Sequence, residues 1–160
     1  MDLIYKSKNF LVENPDKPHI DRQDGGHVMI SPKVTVLDRQ QLSPKLAIEL
    51  MRLTIVVGEA MKLVMNENGV DIGRINYNDA GNWGVFKPEG PFLHIHIYGR
   101  AKSAKIQRYG QALHFPHREE KPEFYEKLKP LNKKDIRDMK IEIEKLLKEK
   151  KYSDSEWGFT

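Results

Sequence analysis

The segment Phe92-Leu93-His94-Ile95-His96-Ile97-Tyr98-Gly99-Arg100 alternates aliphatic residues with aromatic and histidine residues. Successive side chains of an extended strand point to opposite faces of its sheet, so a period of two indicates a strand. We expect one face of this strand to lie against a core and the other to carry the aromatic and ionisable groups. The core face would consist of Leu93, Ile95 and Ile97, and the other face of Phe92, His94, His96 and Tyr98.

Two histidines share one face of the predicted strand, about 7 Å apart along its length. Histidine ionises nearer to neutral pH than other side chains, and the neutral imidazole is both a nucleophile and a metal ligand. The pair His94 and His96 therefore indicates a functional site. A zinc site is the competing interpretation, because His-x-His on a strand needs only a third ligand, for which the candidates are His27, His114 and His117.

The composition is typical of one domain, or of one domain with an appended segment. The chain has 160 residues, no cysteine and a net charge of +4, so disulfides and thiolate metal sites are excluded. Its apolar runs are too short to cross a bilayer, and its N-terminus lacks the layout of a signal peptide. We expect a cytoplasmic protein without membrane contact. The small positive excess suits an anionic small molecule, with nucleic-acid contact less favoured and a merely solvated surface an equally good explanation.

Three further strands are predicted from alternation and from the turn residues that bound them. Residues 9–13 are followed by a proline-rich turn, and residues 27–31 are stopped by Pro32. Residues 70–76 lead into a polar loop. With the histidine segment, these strands predict a mainly antiparallel sheet.

Two long helices are predicted from their caps and apolar stripes. The first begins at Ser43, as N-cap, with Pro44 in the first turn, and ends near residues 66–68. The second follows Asn132, which can cap it, and carries a stripe of apolar residues on one face. A shorter helix is expected within residues 122–130.

Residues around the histidine pair extend the candidate site. His27 joins it if its strand pairs with the histidine strand, because alternation places it on the side away from its aliphatic neighbours. Asn78 lies just upstream, and its amide offers both a donor and an acceptor to a sugar hydroxyl or a phosphate. Arg100 follows the histidine segment directly, where its charge can screen a phosphate.

Four pieces of the chain occur in a recognisable order. They are residues 26–33 (Gly-His-Val-Met-Ile-Ser-Pro-Lys), the long helix from Ser43, residues 74–81 (Arg-Ile-Asn-Tyr-Asn-Asp-Ala-Gly) and the histidine segment closed by Gly99. In this order they resemble the histidine triad (HIT) superfamily of nucleotide-binding hydrolases and transferases. The resemblance covers about residues 3–101.

The family motif has three histidines, the middle one being the nucleophile, and this chain departs from it at the first. Counted back from Gly99, His94 takes the middle position and His96 the third, while Phe92 stands at the first. A second register makes His94 the first, His96 the middle and Tyr98 the third position. We prefer the register that keeps the glycine in place without a gap.

The resemblance implies an α+β fold, a HIT-like antiparallel sheet of about five strands with one long packed helix. Residues 1–101 would form the nucleotide-binding domain. Residues 102–160 would form a C-terminal extension with an amphipathic helix, packed on the same domain. The resemblance also implies a homodimer, and neither a metal nor a cofactor.

The resemblance implies attack on the α-phosphorus of a nucleoside phosphate derivative, such as a phosphoramidate or a dinucleoside polyphosphate. His94 would form a covalent nucleotidyl-histidine, which water or another phosphate acceptor resolves. His96 and His27 would donate hydrogen bonds to the phosphoryl oxygens, and Asn78 would contact ribose or phosphate.

Two alternatives stay open at this point. The family's ribose-binding acidic residue lies upstream of the first strand histidine, and both Asp16 and Asp21 are candidates. The alternative function is a catalytically weak or inactive nucleotide- or RNA-binding module that has lost turnover because Phe92 replaces a histidine.

Overall fold

The computed structural model describes residues 1–159, which form a five-stranded antiparallel sheet with helices packed on one face. The strands are β1 (Asp2–Lys6), β2 (Phe10–Asn14), β3 (His27–Pro32), β4 (Ile72–Asn78) and β5 (Ile95–Ala101), and the helices are α1 (Pro44–Glu67), α2 (Pro122–Glu126) and α3 (Lys133–Leu146). The strand order is β1-β2-β3-β5-β4. The predicted α+β fold class is confirmed.

Helix α1 begins and ends where its capping residues predict. The Ser43 hydroxyl accepts a hydrogen bond from the Leu46 backbone N–H, and Pro44 occupies the first turn. The helix stops at Asn68, and the next residue, Gly69, has a φ of +84°, a left-handed conformation that costs glycine little. Within the described residues, no helix has both the length and the apolar character needed to cross a membrane.

The histidine segment divides its side chains between two faces, as its alternation predicts. Its aliphatic residues are buried in the core, which includes Leu93, Ile95 and Ile97 together with Val28 and Ile30 of β3. His96 and Tyr98 on the opposite face are buried too, because other parts of the chain cover this half of the sheet. Strand β5 starts only at Ile95, so the prediction that His94 lies within the strand is wrong by one residue.

The segment after β5 packs against the same core as the sheet. Met139, Ile143 and Leu146 of α3 are buried in it. Helix α3 opens with a capping box between Asn132 and Asp135. The Asp135 carboxylate also forms a two-point ion pair with Arg22, at 2.6 and 2.9 Å. This pair ties the C-terminal helix to the connection between β2 and β3.

Two glycines let the β2–β3 connection approach β5 closely. A Cβ atom on Gly99 would lie 2.3 Å from the carbonyl oxygen of Gly25, and Gly25 itself has a φ of +130°. No larger residue fits at either position without moving backbone. The contact brings the start of β3 beside β5, where His27 pairs with Tyr98.

The first 14 residues contain two strands where we predicted one. Strand β1 lies at the edge of the sheet, pairs only with β2 and buries only Ile4 among its side chains. Its apolar alternation is therefore too short to be recognised without the partner strand.

Candidate active site

His94 is oriented by the backbone two residues before it. Its Nδ1 lies 2.9 Å from the carbonyl oxygen of Phe92. A carbonyl can only accept, so Nδ1 carries the proton and Nε2 is left with a free lone pair. His94 is half-buried, and its Nε2 therefore has the electronic state of a nucleophile.

His96 is oriented by His27, which is 69 residues away in the chain. The backbone N–H of His19 donates to Nδ1 of His27 at 3.1 Å, so the proton of the neutral His27 ring is on Nε2. That Nε2 lies 2.8 Å from Nδ1 of His96, which must accept. The proton of His96 is therefore on its own Nε2, and His96 is a hydrogen-bond donor at the atom opposite to His27.

The two neighbouring histidines thus present opposite functions. His94 has an unprotonated Nε2 and His96 a protonated one, and their rings meet edge to face with centroids 4.5 Å apart. This separation is shorter than the 7 Å expected from strand rise, because His94 lies before the regular strand. A lone pair beside a neutral N–H donor is the arrangement needed to attack an electrophile while holding one of its oxygens.

Three buried histidines are kept neutral. Burial lowers the pKa of His96 to about 3 and that of His19 to about 4, and it lowers the pKa of His27 well below its usual range. The positive charge of Arg118 acts in the same direction on all three. At neutral pH the cluster therefore carries no charge of its own.

His19 is a member of the cluster that sequence reasoning missed. Its ring Nδ1 lies 2.7 Å from the Tyr98 hydroxyl, and its ring stacks on that of His27 with centroids 4.7 Å apart. His19 stands in an irregular connection, where no periodicity relates it to the histidine segment. Only the pairing of β3 with β5 and the close glycine contact bring it to this position.

Aromatic side chains from two other segments surround the His19 ring. Trp83, from the connection between β4 and β5, lies 5.6 Å away between ring centroids. Phe115 and Tyr125, from the segment after β5, lie 5.3 and 6.2 Å away. The C-terminal segment therefore forms part of the wall around the histidines.

The three buried histidines also meet a distance criterion for a metal site. One nitrogen from each of His19, His27 and His96 lies within 4.8 Å of the others. Both ring nitrogens of His27 are already engaged, Nδ1 as an acceptor from backbone and Nε2 as the donor to His96. A metal would have to break one of these buried hydrogen bonds, so the donor set does not fit a metal ion in this arrangement.

Asn78 and Arg100 differ in what their side chains are free to do. Asn78 pairs with His96 across β4 and β5, so the two share one face of the sheet, and Asn78 is exposed. The Arg100 guanidinium is buried and donates to backbone carbonyls of the following loop, to Arg108 at 3.0 Å and to Gln111 at 2.9 Å. The contacts of Arg100 thus give no support to the prediction that it binds phosphate.

The acidic candidates upstream of the histidine strand are occupied elsewhere. Asp16 pairs with the N-terminal amino group at 2.7 Å. Asp21 accepts backbone N–H groups of two segments, each at 2.8 Å, one on each carboxylate oxygen. His114 and His117 are exposed, and neither belongs to the buried histidine cluster.

The sheet face that carries the histidines is only half covered. On β2 and β3, Leu11, Glu13, Met29 and Ser31 are half-buried, whereas their alternating neighbours are fully in the core. Glu13 pairs with Met29, Met29 with His96 and His96 with Asn78, so these four side chains form one row across the sheet. A cleft of about 320 Å³ borders this open face at Ser31 and Phe92.

Solved structures with the same fold include proteins of related description. A Zn-bound histidine triad family protein from Mycobacterium smegmatis is 20% identical, with a TM-score of 0.54, and the alignment covers 90% of this chain and 84% of that one. A hypothetical histidine triad nucleotide-binding protein from Sulfolobus tokodaii is 15% identical, with a TM-score of 0.56 and coverage of 91% and 85%. A uridylyltransferase is 18% identical, with a TM-score of 0.54 and coverage of 91% and 42%.

The comparison with curated protein sequences finds no match. The HIT domain model, in contrast, matches residues 2–103, which include all five strands, α1 and the paired histidines. With the sheet order, the buried histidine cluster and this match taken together, the chain belongs to the HIT domain family.

Proposed function

We propose that this protein is a nucleotidyl hydrolase or transferase in which Nε2 of His94 attacks the α-phosphorus of a nucleoside phosphate derivative. The observation that carries the proposal is the pair of fixed tautomers. His94 donates through Nδ1 to the Phe92 carbonyl and so keeps a lone pair on Nε2, while His96, held by His27, keeps a proton on Nε2. Activity in other family members agrees with this proposal but does not establish it for this chain.

The hydrogen bonds favour one of the two registers of the histidine motif. If His96 were the nucleophile, its Nε2 would need a lone pair. Its Nδ1 instead accepts from His27, so Nε2 is protonated in the neutral ring. The nucleophile in this proposal is therefore His94, with Phe92 at the first position of the motif.

Phe92 does not remove the interaction that orients the nucleophile. The group that accepts from His94 is the backbone carbonyl of residue 92, and every amino acid has this carbonyl. The Phe92 ring lies beside the His94 ring, with centroids 4.8 Å apart, and it can pack but not hydrogen-bond. The proposal therefore favours an enzyme over the inactive module, because the lone pair on Nε2 does not depend on a histidine at position 92.

The proposed reaction has two displacement steps. In the first, Nε2 of His94 forms a bond to phosphorus while the bond to the leaving group breaks and its electron pair departs with that group. In the second, water attacks phosphorus, the P–N bond breaks, and His94 regains its lone pair as the nucleoside monophosphate is released. In both, the Nε2–H of His96 donates to a non-bridging phosphoryl oxygen, where negative charge must be stabilised. In a transferase, a phosphate acceptor replaces the water.

The nucleoside would lie on the open sheet face next to the histidines. Glu13 is two strands away from His96 in the same cross-strand row, about 10 Å by strand spacing. Its only recorded side-chain contact is a long one from the Ser31 hydroxyl, at 3.4 Å. A carboxylate so placed can accept from a ribose diol, while Leu11 and Met29 offer apolar surface to the sugar or base. Glu13 thus replaces Asp16 and Asp21 as our ribose-binding candidate.

A homodimer remains part of the proposal. Strand β4 is a sheet edge, and it exposes Tyr77 on the side where that ring packs against Gly58 of α1. Leu63 of α1 is exposed as well. A sedimentation mass of two chains would support a dimer, and a mass of one chain would contradict it.

Trapping of the covalent intermediate tests the proposed function. Wild-type protein and His94→Ala would be mixed with adenosine phosphoramidate and with a dinucleoside tetraphosphate, quenched early and analysed by mass spectrometry. We expect a nucleotidyl adduct on wild-type protein and none on His94→Ala, with AMP release reduced by roughly a thousandfold or more. The His114→Ala variant, which changes an exposed histidine, is the matched control and should behave as wild type. Tight AMP binding by wild-type protein without adduct or turnover would instead favour the binding module.

A further inference from the structure

A nucleotide phosphate brings negative charge to a site whose histidines are neutral. His19, His27 and His96 are all buried, and none can gain a proton at neutral pH. Neutral N–H donors bind phosphate more weakly than charged ones. A fixed cation close to the cluster would therefore change which ligands bind well.

Arg118 lies close to the cluster and is held in one position. Its guanidinium carbon is 4.1 Å from the centre of the Tyr125 ring, and one of its terminal nitrogens donates to the Lys17 carbonyl at 3.0 Å. Tyr125 is itself anchored by its hydroxyl, which donates to the Pro116 carbonyl at 2.6 Å. The same Tyr125 ring packs edge-on against His19. The guanidinium is thus fixed one ring away from the histidines.

Arg118 also differs from other partly buried arginines in having free donors. Arg22 is paired with Asp135 and Arg52 with Asp154, and Arg100 is used by loop carbonyls. Among residues 1–159, no carboxylate lies within ion-pair distance of Arg118. A guanidinium has five N–H donors, and the hydrogen bond to Lys17 uses one of its nitrogens.

We infer that Arg118, which lies outside the part of the chain matched by the family model, binds the phosphate groups of the ligand and makes this site selective for multiply charged nucleotides. The inference rests on the proposed function for the position of the nucleoside. It adds a binding residue from the C-terminal segment to a site otherwise built from β3, β5 and the connections around them. Tyr125 is a positioning residue in this assignment, since it holds the guanidinium and does not touch the ligand.

Equilibrium binding of a charge series tests the inference. Dissociation constants for adenosine, AMP and ADP would be measured at one fixed salt concentration for wild type, Arg118→Gln and Arg118→Lys. We expect Arg118→Gln to weaken AMP and ADP binding by about tenfold or more, since hydrogen bonds to charged groups are worth about 1.5–3 kcal/mol. Adenosine, which has no phosphate, should change by less than about twofold. Arg118→Lys should lie between the two, because it keeps the charge and loses the planar fork.

Two controls separate a direct contact from indirect effects. Arg137→Gln removes one positive charge from the exposed face of α3 and should leave all three constants unchanged. Tyr125→Leu keeps the guanidinium but removes the ring beneath it, and should reproduce part of the loss for ADP. An Arg118→Gln variant that loses adenosine and ADP affinity equally would contradict the inference, and so would a loss in Arg137→Gln as large as in Arg118→Gln.

Pyrophosphate binding distinguishes failure of this inference from failure of the proposed function. If wild type binds neither adenosine nor AMP but binds pyrophosphate in an Arg118-dependent manner, the nucleotide function is wrong and the phosphate contact stands. If wild type binds nucleotides and forms the His94 adduct with no dependence on Arg118, the proposed function stands and this inference is wrong. Absence of both kinds of binding would contradict both.

Discussion

His94 and His96 are two residues apart, yet their tautomers have different origins. The proton of His94 is held by a carbonyl two residues earlier in the same segment. The proton of His96 is held by His27, which is in turn held by the backbone of His19. The first arrangement is local, and the second needs three separate parts of the chain to be folded.

This difference predicts which changes the site tolerates. A backbone carbonyl survives any side-chain substitution at its own residue, so the state of His94 should be robust. A buried chain of neutral rings depends on each member, because an unsatisfied buried polar group costs about 1–3 kcal/mol. We therefore expect mutations and pH to act on the His96 side of the site more strongly than on the His94 side.

The largest expected effect comes from removing the donor of His96 while keeping its bond to His27. The amide of His96→Asn can replace the ring Nδ1 but does not reach the Nε2 position, whereas His96→Gln reaches it. We expect His96→Asn to slow formation of the adduct by about 100- to 1000-fold, the usual effect of deleting one oxyanion donor. His96→Gln should recover part of this loss, and stopped-flow or quench kinetics would measure both. Equal rates in Asn and Gln variants would contradict a donor role for Nε2.

Acid should destabilise the buried histidine cluster. In the unfolded chain these histidines take up protons near pH 6.5, whereas in the fold His19 does so only near pH 4 and His96 near pH 3. The unfolded state therefore binds more protons between pH 6.5 and 4, and the free energy of unfolding must fall as the pH falls through this range.

Denaturant titrations at several pH values measure this dependence. Each buried histidine contributes a slope of up to about 1.4 kcal/mol per pH unit, so His19→Gln should reduce the slope by about that amount. His114→Gln, which removes an exposed histidine, is the control and should leave the slope unchanged. A wild-type slope that His19→Gln does not reduce would show that the cluster is not held neutral by the fold.

A smaller effect is expected at the nucleoside end of the site. Wild-type protein should bind AMP about tenfold more tightly than 2′-deoxy-AMP if Glu13 accepts from the ribose diol. Glu13→Gln should weaken AMP binding and leave 2′-deoxy-AMP nearly unchanged, so that the preference disappears. Asp16→Asn is the matched control, since Asp16 is occupied by the N-terminal amino group. A ribose preference that survives in Glu13→Gln, or is lost in Asp16→Asn, would contradict this role.

The smallest effect is expected at Phe92, and it tests the local half of the comparison most directly. Phe92→Leu keeps the carbonyl that accepts from His94 and removes the aromatic ring beside it. The rate of adduct formation should change by less than about threefold, or about 0.7 kcal/mol. A loss of a hundredfold in Phe92→Leu, with unchanged thermal stability, would mean that the side chain and not the backbone orients the nucleophile.

Local signals predicted most of the fold correctly. Ser43 and Pro44 marked the start of α1, and Asn132 marked the cap of α3, because caps depend only on neighbouring backbone groups. Alternation identified the core residues of β5. Strand β1 was missed, because an edge strand with one buried side chain has almost no pattern.

The candidate site was predictable only in part. His94, His96 and His27 were found because two strands carry them with a period of two, and Asn78 because it ends the neighbouring strand. His19, Arg118 and Glu13 were not found, since each depends on a contact between segments far apart in the chain. Arg100 looked equally suitable in sequence, yet its guanidinium is enclosed by the loop that follows it.

What the sequence by itself determined is the period-two pattern, the helix caps and the residue types at the site, because these depend on covalent geometry and on neighbouring groups. The tautomer of His96, the neutrality of the buried histidines and the single unpaired guanidinium near them were decided by the tertiary structure. The reason is physical: hydrogen-bond direction and desolvation depend on which distant groups share a buried space. One contact of the site, His94 on the carbonyl of Phe92, belongs to both levels, because the backbone that makes it is local.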